Sequence, residues 1–224
     1  MNNEPKLPAH PIFTPATIGA LVALACISSA ILGATHYLVQ DTLERRGQEH
    51  IRALTLEMLP DAVTHKVFTA HLPSYGDTTI PQPIYAGYDA SGTLVGVAIE
   101  ASDRGGYGGE IRVIYGYLPE EQRITGVKIL RENETPDIGG RIRTDPDFLA
   151  RFDGLDMPLE PRSMRPRHPV RYVAPETNGG PGEIEGLSGA TVSARAVVRA
   201  VRVSTNRVLP VVHDMLDDLK KGDE

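Results

Sequence analysis

Between Ile18 and Leu38 the chain carries no Asp, Glu, Lys or Arg, and His36 is the one residue there that can take a positive charge. At about 1.5 Å of rise per residue, a helix of that length covers roughly the 30 Å hydrocarbon thickness of a bilayer. Residues 15–39 therefore read as one transmembrane helix. A cleaved signal peptide is the competing reading, and Ala23-Leu24-Ala25-Cys26 resembles a lipoprotein site. The positive n-region is reduced to Lys6, however, and apolar residues continue well past Cys26, so the span reads as an uncleaved anchor. Lys6 precedes it, whereas Arg45, Arg46 and Arg52 follow it. By the positive-inside rule alone, this leans toward a cytoplasmic C-terminal part.

The 224 residues leave room for one good-sized domain with extensions, or two small ones. Residues 1–14, with Pro5, Pro8 and Pro11, read as a short extended tail. Residues 40–60 are rich in helix formers, with Leu43, Ile51, Leu54 and Met58 on a roughly helical repeat. They read as a linker helix that continues the membrane span and stops by Pro60. Pro73, Gly76, Pro81 and Pro83 make 69–83 read as a loop.

The period then changes from helical to alternating. Ile84 to Tyr88, the turn Asp89-Ala90-Ser91-Gly92, and Leu94 to Ile99 read as a hairpin. A second unit follows, from Ile111 to Tyr117 and from Ile124 to Ile129, and both return strands share the pattern apolar-x-Gly-Val-x-Ile. At least four antiparallel strands are implied. Asp145-Pro146 has the form of an N-cap and first helical residue, opening a short helix through Phe148, Leu149 and Phe152. Residues 158–182 are rich in proline, arginine and glycine, and Asn178-Gly179-Gly180 marks a turn. Arg162, Arg165, Arg167, His168 and Arg171 read as a solvated loop, with partner docking as the alternative use. Val197, Val198, Val201, Val208 and Val211 lie at helical spacings with arginines between them. The fold class is α+β: an anchor helix, then a single domain over 61–224 with an antiparallel sheet and flanking helices.

Several function classes are disfavoured by composition. The lone Cys26 cannot form an internal disulfide. A formal net charge of -6 argues against nucleic-acid binding, which needs concentrated positive charge. The seven histidines are scattered, with no Cys/His cluster at metal-ligand spacing, so no zinc or iron–sulfur centre is expected.

Two stretches can carry chemistry. Arg104-Gly105-Gly106-Tyr107-Gly108-Gly109 sets four glycines around one tyrosine, which permits close approach by a ligand or merely a sharp turn. No helix-opening Gly-x-Gly-x-x-Gly and no Gly-Lys-Ser/Thr is present there. Ser188-Gly189-Ala190-Thr191 stands where a loop enters the long valine-rich helix. Amides at such a helix start favour an anion, although alone the motif reads as an ordinary N-cap. A hydrolase with Ser188 or Thr191 as nucleophile would need a Gly-x-Ser-x-Gly elbow or a placed base, and neither is visible.

The segment from Glu185 to Thr191 resembles the flavinylation motif, in which an acidic residue precedes Ser/Thr-Gly-Ala-Ser/Thr and the last hydroxyl is esterified to the phosphate of FMN. Glu185 stands where that pattern usually has Asp. The chain from about 15 to 205 is similar to the G subunit of the Rnf electron-transport complex and, more distantly, to the C subunit of the sodium-pumping NADH:quinone reductase. The resemblance rests on the order of the anchor, Gly106-Tyr107-Gly108-Gly109, Gly126-Val127-Lys128-Ile129, Glu134-Thr135-Pro136, Thr177-Asn178-Gly179-Gly180 and Ser188-Gly189-Ala190-Thr191.

The resemblance implies an electron-carrier subunit with no independent catalytic reaction. Its FMN would be held by a phosphoester to Thr191, with Ser188, Gly189 and Ala190 at the attachment and Glu134, Thr135 and Ile138 bordering the ring. Tyr107, Gly108 and Gly109 are expected nearby. Where the family usually continues with Gly-Leu-Gly, this chain has Asp137-Ile138-Gly139. The resemblance also implies a separate flavin transferase for maturation, the other membrane subunits of the complex as partners, and a domain on the periplasmic face of a bacterial inner membrane. That placement overrides the charge argument. The corresponding quinone-reductase subunit and a cofactor-free membrane-anchored interaction module are the alternatives.

Overall fold

The computed structural model describes residues 15–74, 78–177 and 179–222, with side chains given outside 37–46. The tail expected over 1–14 and the turn residue Asn178 lie outside the described residues. The chain divides into a unit ending at His50 and a compact unit from Ile51 onward.

In the first unit, helix α1 (Pro15–Met58) begins with a proline, whose fixed φ and missing N–H suit the first helical turn. Its stretch Pro15–His36 is long and apolar enough to cross a membrane, and its residues are exposed along that whole length. A helix that is apolar all round and buried against nothing is what a lipid environment selects. The helix continues without a break to Met58, so the anchor and the stretch read as a linker are one element.

In the compact unit, β1 (Thr64–Pro73), β2 (Thr79–Tyr88), β3 (Leu94–Asp103), β4 (Ile111–Leu118), β5 (Arg123–Arg131) and β6 (Leu155–Asp156) form one antiparallel sheet in sequence order. Both expected hairpins are present, β2 with β3 and β4 with β5. The expectation of a loop over 69–83 is corrected: these residues lie largely in β1 and β2, paired from Thr64↔Tyr88 to Pro73↔Thr79. Proline is tolerated because β1 is an edge strand and β3 pairs with β2 only from Ile84 onward. Pro81 and Pro83 therefore fall where one side of their strand has no neighbour to supply with an N–H.

One face of the sheet carries the core. Helix α4 (Thr191–Asp214) crosses it and buries Ala194, Val197, Val198, Val201, Val208 and Val212 against Val97, Ile99, Val113, Tyr115 and Tyr117. Tyr115 is fully buried, so its hydroxyl needs a partner, and Ser204 of α4 meets it at 2.9 Å. Alternation sends Ile114 to the other face, where it packs with Ala98 and the end of α1 through Ile51, Leu54 and Met58. The repeated Gly of the return strands has a packing reason at Gly96. A Cβ there would meet Leu59 Cδ2 at 3.0 Å and Tyr117 O at 2.8 Å, so the glycine makes room for the fully buried Leu59.

Short elements finish the unit. Helix α2 (Arg141–Thr144) leads to Asp145, whose side chain accepts from the Phe148 amide at 3.0 Å and caps α3 (Pro146–Ala150), as the Asp-Pro pair predicts. Phe148 and Phe152 are fully buried and meet edge to face. The arginines of 158–171 and His168 are exposed, as read from their composition. Within the irregular region, β7 (Arg171–Val173) and β8 (Glu183–Glu185) pair in parallel, and α5 (Leu216–Lys221) closes the chain.

Candidate functional site

Three segments distant in sequence meet at the N-terminus of α4. They are the glycine loop between β3 and β4, the loop after β5, and the turn that enters α4. Together they enclose a cavity of about 430 Å³, within the size range of cofactor sites.

The glycine loop is closed by its own backbone: the Gly106 amide donates to Gly109 O at 3.1 Å and the Gly109 amide returns to Gly106 O at 3.4 Å. Tyr107 is held at the tip, 79% exposed, with its side chain lining the cavity. A Cβ at Gly108 would lie 2.0 Å from Asn133 O, so this loop presses backbone against backbone on the next segment.

That next segment runs through Glu134, Thr135 and Ile138, all of which line the cavity. Thr135 O accepts from the amides of Ile138 at 3.2 Å and Gly140 at 3.0 Å, folding the loop back on itself. Asp137 takes φ of +60°, the left-handed region, at a position where the resembling family usually has glycine. Ile138 is left 58% exposed. Glu134 is 7% exposed and lies between all three segments. Its Oε1 accepts from the Gly108 amide at 3.0 Å and its Oε2 from Ser193 Oγ at 2.6 Å. Among the described residues no cation pairs with it, so these hydrogen bonds stabilise the carboxylate.

The third segment supplies the helix start. Gly189 has φ of +81° and Ala190 is the N-cap of α4, offering no side-chain acceptor to the first-turn amides. Arg141 pins the turn, donating Nη1 to Ser188 O at 2.9 Å and Nη2 to Asp145 at 3.0 Å. Three hydroxyls at the start of α4, those of Ser188, Thr191 and Ser193, differ in their settings. Ser193 is buried and committed to Glu134, Ser188 is exposed outside the cavity lining, and Thr191 is half-buried, lines the cavity and has no hydrogen-bond partner among the described residues. Uncapped amides at the start of a 24-residue helix, beside one available hydroxyl, fit a phosphate group.

Of the residues expected at the site, Tyr107, Glu134, Thr135, Ile138, Gly189, Ala190 and Thr191 line this cavity. Gly108, Gly109 and Ser188 do not line it. Gly139, Val192 and Ser193 line it without having been singled out as binding residues. Ser193 stands in the first turn of α4, two residues after Thr191, but its partner Glu134 is 59 positions away. Glu185 does not line the cavity. Its carboxylate accepts from the Glu176 amide and lies 3.8 Å from Arg151, whose Nη1 also binds the carbonyls of Glu185 and Gly186.

Residues 106–205, which contain the cavity-lining residues of all three segments, match the family model described as FMN-binding domain. Over most of its length the chain is similar to G subunits of ion-translocating oxidoreductase complexes. It is 28% identical over 192 residues to the ion-translocating oxidoreductase complex G subunit of Methanosarcina acetivorans, covering 85% of this chain and 92% of that one. The same-named protein of Vibrio parahaemolyticus is 26% identical, covering 84% and 86%. The G subunit of the Na(+)-translocating ferredoxin:NAD(+) oxidoreductase complex of Acetobacterium woodii is 24% identical, covering 82% and 86%. Among solved structures, NqrC of Shewanella oneidensis shares the fold, with a TM-score of 0.50 and 20% identity over 74% of this chain and 75% of that one.

Proposed function

We propose that this chain is the membrane-anchored, electron-carrying subunit of an ion-translocating oxidoreductase complex, with FMN joined to Thr191 by a phosphoester. The observation that carries the attachment is the contrast among the three hydroxyls. Of the three, only Thr191 is both in the cavity and uncommitted, and it is the first residue of the uncapped α4. The relatives' names, which describe subunits of ion-translocating and ferredoxin:NAD(+) oxidoreductase complexes, support the electron-carrier role.

In this reading the first-turn amides of α4 hold the phosphate by charge-assisted hydrogen bonds. Tyr107, Ile138 and Val192, three exposed apolar side chains that line the cavity, flank the ring and shield it from water. Glu134 locks the glycine loop to α4 and sets a negative charge beside the ring. FMN supplies reversible electron uptake, and the protein tunes it through such contacts. No base among the described residues hydrogen-bonds Thr191, and a threonine hydroxyl is a weak nucleophile at its free pKa. Attachment therefore belongs to a flavin transferase acting on FAD: the bond from Thr191 Oγ1 to the FMN phosphorus forms as the bond to the AMP phosphate breaks, releasing AMP and a proton. Covalent attachment removes the association cost of keeping a small cofactor in an open site.

The domain is read as periplasmic and the helix Pro15–His36 as its anchor in the inner membrane, against the distribution of arginines after the span. Co-expression with a flavin transferase should leave a flavin-fluorescent band after denaturing electrophoresis, absent from Thr191→Ala. Equal fluorescence in that variant refutes attachment at Thr191. A periplasm-dependent reporter fused after Glu224 should be active; activity of only a cytoplasm-dependent reporter refutes the orientation.

A further inference from the structure

A second cavity, of about 290 Å³, lies along α4 beyond its first turn, lined by Val170, Tyr172, Arg195, Val198, Arg199 and Arg202. Its three arginines stand at i, i+4 and i+7, on one face of the helix, where like charges repel. Their counter-charge is incomplete. Arg199 binds Asp103 through Nε to Oδ2 at 2.6 Å. Arg195 instead lies over the Tyr172 ring, 4.8 Å from its centroid, and Arg202 shares the Asp103 carboxylate with Arg199 only through space, with no ion-pair contact of its own among the described residues. Three guanidinium groups with one neighbouring carboxylate thus line one concavity of a chain whose net charge is -6.

The charge at this cavity has a natural complement. A phosphate monoester carries a charge of about -1.5 to -2 near neutral pH, matching the excess of the three arginines over the Asp103 carboxylate. Guanidinium groups engage phosphate oxygens two at a time, and their weak hydration keeps the desolvation cost of such a pair low. Val170 and Val198 give the organic part of an ester an apolar wall. A carboxylate brings one charge per group, so matching that excess would require two acidic side chains to converge within the cavity.

We propose that this cavity is a binding site for a phosphate monoester, borne by a small soluble molecule or by a phospholipid headgroup. The proposal does not depend on the flavin reading, because none of its lining residues belongs to the cavity at the α4 N-terminus.

Calorimetric titration of the full chain in non-ionic detergent with glycerol 3-phosphate, at constant ionic strength, tests it. Saturable binding is expected, weakened at least tenfold in Arg195→Gln/Arg202→Gln. The control Arg162→Gln/Arg165→Gln removes the same charge elsewhere and should bind as the unaltered chain does. All four side chains are exposed, so both variants should fold, and circular dichroism checks this. In nanodiscs, phosphatidic acid that competes with the soluble ester identifies the headgroup as the source; no competition identifies a soluble one. FMN content, read from absorbance in every sample, reports separately on the flavin site. The proposal is overturned by the absence of saturable binding, by equal weakening in the control variant, or by hexaglutamate binding more tightly than the ester.

Discussion

Removing the Glu134 carboxylate should loosen the cavity at the α4 N-terminus even in protein that carries no flavin. Glu134 accepts one hydrogen bond from the Gly108 amide at 3.0 Å and one from Ser193 Oγ at 2.6 Å, and is 7% exposed. Hydrogen bonds to a charged acceptor contribute about 1.5–3 kcal/mol each. The lower figure applies where a cavity lets water replace the lost partner, so Glu134→Ala should cost about 3 kcal/mol for the two bonds. Glu134→Gln behaves differently. Its amide oxygen can accept from Gly108, while its NH₂ can donate to Ser193, whose hydroxyl rotates to accept. That exchange keeps both contacts without the charge and should cost about 1 kcal/mol. Denaturant unfolding of the full chain in detergent, followed by the near-ultraviolet signal of the buried Tyr115 and Tyr117, measures both. A loss below about 0.5 kcal/mol for the alanine variant, or a glutamine variant as damaged as the alanine one, refutes the reasoning.

Gly108→Ala should destabilise by about 1–3 kcal/mol, because its Cβ would lie 2.0 Å from Asn133 O and backbone must move; calorimetric melting reads this. Gly189→Ala meets nothing closer than 3.7 Å, so its cost is the left-handed backbone alone, about 1–2 kcal/mol, and Gly189→Asn should recover part of it. Burial holds the His213 imidazole below its ordinary range, and Nε2 lies 3.0 Å from the Tyr117 hydroxyl. The folded state thus favours the neutral ring. Its contribution is complete above pH about 6.5 and is lost as pH falls through the lower folded-state value, so unfolding curves of His213→Gln should depend less on pH between 7 and 5. A dependence unchanged by that substitution would contradict the assignment.

The sequence revealed elements whose local pattern and tertiary environment agree. Alternation marks β2 to β5 because one face meets α4 and the other meets the end of α1 or solvent, and the valine spacing marks α4 because one stripe is buried. Strands β1 and the start of β2 were hidden by prolines, which an edge position tolerates but a local reading penalises. Beyond its three motifs, the site was not legible as a cavity, since contacts such as Glu134 with Ser193 and Arg141 with Ser188 join positions 59 and 47 residues apart. Asp137 shows the same limit. Its departure from glycine is plain in the sequence, but the reason for glycine there, a positive φ, is visible only in the backbone.

The central claim concerns the Thr191 hydroxyl, and intact mass of the full chain co-expressed with an active flavin transferase tests it most directly, beside Thr191→Ala and Ser193→Ala. The account predicts a gain of one FMN less one water in the unaltered chain, none in Thr191→Ala, and the gain retained in Ser193→Ala, since Ser193 is committed to Glu134. No gain in any of the three, or a gain that survives Thr191→Ala, would contradict it.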